Sequence, residues 1–198
     1  MINRWFKTEA NKDLIIILAL LLLNILPRLI YILSDGFFMD GDEAILGTVV
    51  QDVFKNNHFS LFLNGQNYGF VFFEILMGSI ASLFFGVNML SLKISIFIFW
   101  LINIVILYYI GKKIFLNRRF AFLAVLLISF IPVWYDWATK ARFGYVSAFL
   151  FSDLVVLLTL FKKTKVRIIA ISLCLLLIYY VQPLYLVVTA PFVVYYFF

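Results

Sequence analysis

The chain has 198 residues, of which 65% are hydrophobic and 13% charged, and its mean hydropathy is +1.07. Soluble domains carry about 45–50% apolar and about 25% charged residues, so the composition excludes an ordinary soluble core and predicts a bilayer as the solvent for most of the chain. The net charge of +6 comes from basic residues placed between apolar runs rather than gathered on one soluble face, which is a topology signal and excludes nucleic acid as the expected partner. Cys174 is the single cysteine and lies in an apolar run. It cannot form an internal disulfide and reads as a small membrane-buried residue.

The first apolar run, 14–33, follows a basic N-terminus. It spans about 20 residues, or about 30 Å as a helix, which crosses a bilayer. No small-x-small site closes it, so it is read as a retained span rather than a cleaved signal peptide. Further spans are expected at 90–111, at 120–135 with Pro132 near its end, at 145–161, at 166–181 before Gln182 and Pro183, and at 184–198. The segment 68–85 is also apolar, and pattern alone leaves it open.

Charge decides that segment. Arg4, Lys7 and Lys12 precede the first span; Lys112, Lys113, Arg118 and Arg119 follow the second; Lys162, Lys163, Lys165 and Arg167 follow the fourth. These are eleven of the sixteen basic residues, and the positive-inside rule puts them together on the cytoplasmic side. Only an even number of crossings between clusters allows this, so 68–85 must lie in or dip into the outer interface. The expected architecture is an all-α, polytopic transmembrane unit over 1–198 in the cell inner (cytoplasmic) membrane, its N-terminus cytoplasmic. The stretch 34–89 then becomes an external loop of about 55 residues, far longer than an ordinary connection and therefore a place for function.

That loop opens with Asp35, Asp40, Asp42 and Glu43 within nine positions. Leu46, Val49, Val50, Val53 and Phe54 then fall on one helical face, with Thr48, Gln51, Asp52 and Lys55 elsewhere, as in an amphipathic interfacial helix. Asp42 near its N-terminus has two readings: a helix cap, or one of several crowded carboxylates that bind a cation or raise one pKa to make a general base. Glu74 stands in an apolar stretch, where an acid is costly unless paired or functional. His58 is the only histidine, which excludes a multi-histidine metal site.

An Asp-Glu pair after the first span, an amphipathic helix, then Gly65-Gln66-x-Tyr68-Gly69 and Glu74 together resemble the bacterial branch of the dolichyl-phosphate-mannose-protein mannosyltransferase-like family, polytopic enzymes of the glycosyltransferase-C fold. Leu83-Phe84-Phe85-Gly86 resembles the family's end of the loop helix, and Lys140-Ala141-Arg142-Phe143-Gly144-Tyr145 its second external loop. Lys93 stands where the family has an arginine. The resemblance covers roughly 15–160. Family members are longer, so the chain is expected to be an N-terminal portion of such an enzyme.

The resemblance implies a polyprenyl-phosphate-sugar donor held among the spans, with an acceptor that stays unspecified. Asp42 would be the base and Glu43 its orienter; both would be ligands if a divalent cation takes part. Arg28, Lys140 and Arg142 would bind the donor phosphate, and Asp40, Gln66, Tyr68 and Glu74 would lie around the substrate. Arg28 has a second reading, a side chain that snorkels outward. Asp136 would be an interfacial acid or a pairing partner for these cations, and the intraspan Asp153 is an acid without an assigned role. The rival functions are a transporter, which would want ionisable residues on several spans, and a non-catalytic or truncated membrane subunit.

Overall fold

The computed structural model describes residues 2–34, 39–63 and 69–198, with side chains from residue 11 onward. Among them the structure is all-helical: α1 (Ile2–Leu33), α2 (Gly41–Lys55), α3 (Phe72–Phe85), α4 (Met89–Phe115), α5 (Arg118–Phe130), α6 (Pro132–Trp137), α7 (Tyr145–Thr159), α8 (Lys165–Val181) and α9 (Leu184–Phe197). An isolated bridge between Phe62 and Phe70 closes the segment between α2 and α3.

The axis is α4, which buries Trp100, Ile104 and Tyr108 completely. α1 lies antiparallel to it and is fixed at two heights. Near the start of α1, Asp13 accepts from Tyr108 Oη at 2.8 Å and Arg118 Nε at 2.7 Å and also pairs with Lys112. Higher up, Asn24 Oδ1 accepts from Trp100 Nε1 at 3.1 Å. α1 turns the rest of itself outward: Leu14, Leu18, Leu22, Leu26 and Ile30 form an exposed apolar row at four-residue spacing. Two helical stretches, Asn11–Leu33 and Met89–Phe115, are long and apolar enough to cross a membrane; α3, α7 and α9 are apolar but shorter.

α2 and α3 form a cap on the N-terminal half of α4. The chain reverses at Gly86, whose φ of 78° is cheap only for glycine. Asn88 then caps α4 by accepting from the Ser91 amide at 3.0 Å. α3 runs back along α4, with the Ser82 and Ser91 hydroxyls 3.1 Å apart. Gly78 lets this packing close, since a Cβ there would stand 3.0 Å from Val50 of α2 and 3.4 Å from Leu92 of α4. α3 thus begins and ends beside the same half of α4 and does not run the length of the bundle.

The expected span 120–135 is broken, and the structure corrects it to α5 and α6. Pro132 removes one donor and disfavours helix at the residue before it. Ile131 accordingly has φ −59° and ψ 129°, and a new helix starts with Pro132 in its first turn. The remaining helices alternate in direction. Phe161, just past α7, lies under Lys113 at the end of α4, with 4.5 Å from Nζ to the ring centroid. Lys163 Nζ reaches the Phe197 carbonyl at the end of α9 at 3.0 Å. At the opposite end the Phe70 amide donates to the Tyr180 carbonyl at 3.1 Å. The basic groups around Lys112 and Lys163 therefore share one end of the bundle, and the α2–α3 cap occupies the other.

Gly144 closes α7 on α8 with a φ of 69°, and a Cβ there would meet Val181 Cγ1 at 2.7 Å and its carbonyl oxygen at 2.9 Å. Gly144→Ala is expected to cost about 1–3 kcal/mol, read as a lower thermal midpoint of the detergent-solubilised protein. Gly41→Ala, whose Cβ meets nothing within 4 Å, is expected to leave that midpoint in place.

Candidate functional site

The acidic opening of α2 sorts into three carboxylates with three different surroundings. Asp40 is the cap: its Oδ1 accepts from the Glu43 amide at 3.0 Å, and Glu43 Oε2 accepts from the Asp40 amide at 3.2 Å. This is a reciprocal capping box, so the cap reading of Asp42 is corrected to Asp40. The reason is register: a capping carboxylate precedes the first helical turn, and α2 begins at Gly41. Asp40 also pairs through Oδ2 with Arg142 at 2.7 Å.

Glu43 points inward. Its Oε1 accepts from Lys93 Nζ at 2.7 Å and from the Ala141 amide at 2.8 Å. The pair is withdrawn from solvent, with Lys93 2% and Glu43 1% exposed, and Lys93 also lies 3.5 Å from the Thr139 carbonyl. Both Glu43 oxygens are therefore occupied by protein groups, which hold the first turn of α2 against α4 and the turn before α7. Among the described residues no three His, Cys, Asp or Glu side chains converge as a metal site.

Asp42 is exposed and has no hydrogen-bond or ion-pair partner among the described residues. It borders a cavity of about 430 Å³ whose other walls include Gly69, Phe143, Tyr145, Tyr180 and Gln182. Tyr145 is also a wall of an apolar slot of about 280 Å³ formed with Trp134, Trp137, Leu184 and Tyr185. Asp42 thus stands over a polar-rimmed hollow that adjoins an aromatic one. Sequence reasoning read Gln182 and Pro183 only as the end of a span; the visible signal was a polar residue at a helix end on the same side as the acidic loop.

The expected phosphate-binding cations take different positions. Arg142 lies 5.0 Å over Trp137 and is held by Asp40; Asp40 and the nearby acids Asp42 and Asp136 raise its pKa. Lys140 pairs with Asp136 at 2.7 Å, both half-exposed. These two cations share the Asp42 end of the bundle. Arg28 lies deeper, and the reading in which it snorkels outward is corrected. It is fully buried, donates to Asn24 Oδ1 at 2.8 Å and to the Ser129 carbonyl, and lies 4.8 Å from the Tyr135 ring and 5.3 Å from that of Trp100. Aromatic faces hold a guanidinium inside more favourably than aliphatic ones would, which is why it need not snorkel.

Glu74 is buried and accepts from the Ser147 hydroxyl; its Oε2 has no partner among the described residues. Burial pushes its carboxyl up, against the opposing pull of the Ser147 hydroxyl and the Gly144 amide. It links α3 to α7. Asp153 is buried in α7 with Oδ2 unpartnered. Gln66 and Tyr68 lie outside the described residues. No protein-family model, curated protein sequence or solved structure matches the chain.

Two predictions follow from these contacts. Glu43→Gln strands the Lys93 ammonium in the interior and is expected to cost about 3–5 kcal/mol; Glu43→Leu combined with Lys93→Met should recover much of the lost thermal midpoint, since no buried charge is then left over. For Asp40, burial alone would raise its pKa, but the Glu43 amide and Arg142 together outweigh it and hold it below the ordinary carboxylate value. A depressed folded pKa contributes stability that is complete above the unfolded value of about 3.9 and is lost as pH falls through the folded one. Asp40→Asn should therefore flatten the acid limb of the stability profile, read as thermal midpoint between about pH 6 and 3.

Proposed function

We propose that the chain is a multi-pass membrane glycosyltransferase, or the N-terminal part of one, that moves a sugar from a polyprenyl-phosphate donor to an acceptor on the outer face of the cell membrane. The six-span reading in the inner (cytoplasmic) membrane, with a cytoplasmic N-terminus, belongs to this proposal. It is supported by the outward apolar row on α1, by the exposed apolar residues of α8 and α9 such as Leu173, Leu176, Val187 and Val188, and by the basic groups at one end of the bundle.

The observation that carries the reading is Asp42: an unpartnered carboxylate over a cavity that shares Tyr145 with an apolar slot. A phosphate-linked sugar on an isoprenoid chain is polar at one end and apolar at the other, and such a pair of hollows suits both. In the proposed reaction the acceptor oxygen attacks the anomeric carbon while Asp42 takes its proton. The anomeric carbon–oxygen bond to phosphate breaks, and the polyprenyl phosphate leaves with the electron pair. Arg142 and Lys140, on the same side, would offset the charge that grows on the phosphate, by exchanging part of their contacts with Asp40 and Asp136. Glu43 serves by anchoring the first turn of α2, from which Asp42 projects.

Transport is the rival reading, and the orphaned buried oxygens of Asn103 and Asp153 favour it. Neither residue borders the Asp42 cavity. Asp42→Asn decides between the two. Membranes carrying the chain are supplied with polyprenyl-phosphate-mannose and the release of polyprenyl phosphate is measured. Loss of about 10²-fold or more with insertion intact is the expected outcome; release unchanged by Asp42→Asn contradicts the assignment.

A further inference from the structure

A larger cavity, of about 700 Å³, lies at the other end of the bundle from Asp42. Lys112 and Lys113 from the last turn of α4 and Arg118 and Arg119 from the first turn of α5 stand on its wall. Leu116, Leu157 and Phe161 supply its apolar side. The carboxylate seen against these cations is Asp13, and it is already saturated by Lys112, Arg118 and the Tyr108 hydroxyl. Among the described residues, Lys113 has the ring of Phe161 beneath it at 4.5 Å, and the Arg119 guanidinium has no hydrogen-bond or ion-pair partner. A second hollow of about 420 Å³, bordered by Lys12, Ile15 and Ile16, opens on the far side of the same two arginines. The site therefore has surplus positive charge, room and an apolar wall.

The geometry points to a binding site for an anionic glycerophospholipid, its phosphodiester between Lys113 and Arg119 and its acyl chains along Leu116, Leu157 and Phe161. Surplus cations alone would draw any phosphate. The apolar wall at the level where α4 and α7 end is what a lipid adds to and a free ion does not use. Basic pockets between helices at the cytoplasmic boundary hold lipid headgroups for this reason, and each cation near an anionic surface contributes attraction that salt screens. The inference rests on the membrane-spanning part of the proposed function and is independent of sugar transfer. An occupant here would tie α1, α4, α5 and α7 together at the end opposite to the candidate active site.

The test is native mass spectrometry of the full chain in detergent, titrated with phosphatidylglycerol, with phosphatidylcholine of the same acyl chains, and with inorganic phosphate. Phosphatidylglycerol is expected to bind about tenfold more tightly than phosphatidylcholine. Lys113→Gln with Arg119→Gln should remove that preference, and Lys113→Arg with Arg119→Lys should keep it. If the double glutamine variant does not fold, Arg119→Gln alone is read, with at least a threefold loss expected. Equal affinity for the two lipids, or a preference untouched by the glutamine substitutions, overturns the site. Inorganic phosphate binding as tightly as phosphatidylglycerol overturns the lipid assignment in favour of a free-anion pocket. Retention of the chain in alkaline-washed membranes is scored in parallel, so that failure of the membrane reading is told apart from failure of this one.

Discussion

The structure turns on one buried ion pair, Glu43 with Lys93. An ion pair removed from water is costly to form, because both charges lose their hydration, and it persists only where hydrogen bonds complete the geometry. Here the Ala141 amide and the Asp40 amide complete Glu43, and the Thr139 carbonyl lies beside Lys93. Three parts of the chain separated by some fifty residues each are thereby held at one point: the start of α2, the first turns of α4, and the turn between α6 and α7. The first turn of α2, from which Asp42 projects, is fixed at that point. The capping box sets how α2 leaves that point, Arg142 adds a second tie from the same turn to Asp40, and Asp42 has no such tie among the described residues.

A second polar knot, Asp13 with Tyr108, Lys112 and Arg118, sits at the other end of α4. The two knots do for this bundle what apolar packing alone does poorly. When the surroundings of a helix are as apolar as its neighbours, burial gives little register, and specific polar contacts and small residues set how helices meet. Arg28 and Asn24 with Trp100 supply a third such contact at mid-height. Gly78 and Gly144 supply the close approaches.

Much of this was legible in the chain before the structure. The helix limits follow hydropathy closely, because apolar runs and their flanking charges are local signals. The basic residues that the charge pattern groups together do meet at one end of the bundle, where Asp13 pairs with Lys112 and Lys113 lies on Phe161. What was not legible was pairing at long range. Nothing near Glu43 or near Lys93 announces the other; an acid in a helix's first turn is ordinary, and a lysine entering a span reads as snorkelling. The burial of Arg28 was hidden for the same reason, because the three rings that hold it come from α4, α5 and α6. The break at Ile131 was readable from Pro132 and was placed too late. Asp42 was singled out for the crowding of acids around it. The structure gives a different ground: its neighbours are spent on other contacts and it is not.

The central claim is that the α2–α3 cap and the three basic clusters lie on opposite sides of one membrane. It is tested most directly by labelling single cysteines in a Cys174→Ser chain with a membrane-impermeant maleimide on intact spheroplasts. Lys55→Cys, at the exposed end of α2, and Lys162→Cys, at the exposed end after α7, are the two reporters. The account predicts labelling of the first in intact spheroplasts and of the second only after lysis. Labelling of both in intact spheroplasts, or of Lys162→Cys alone, contradicts it.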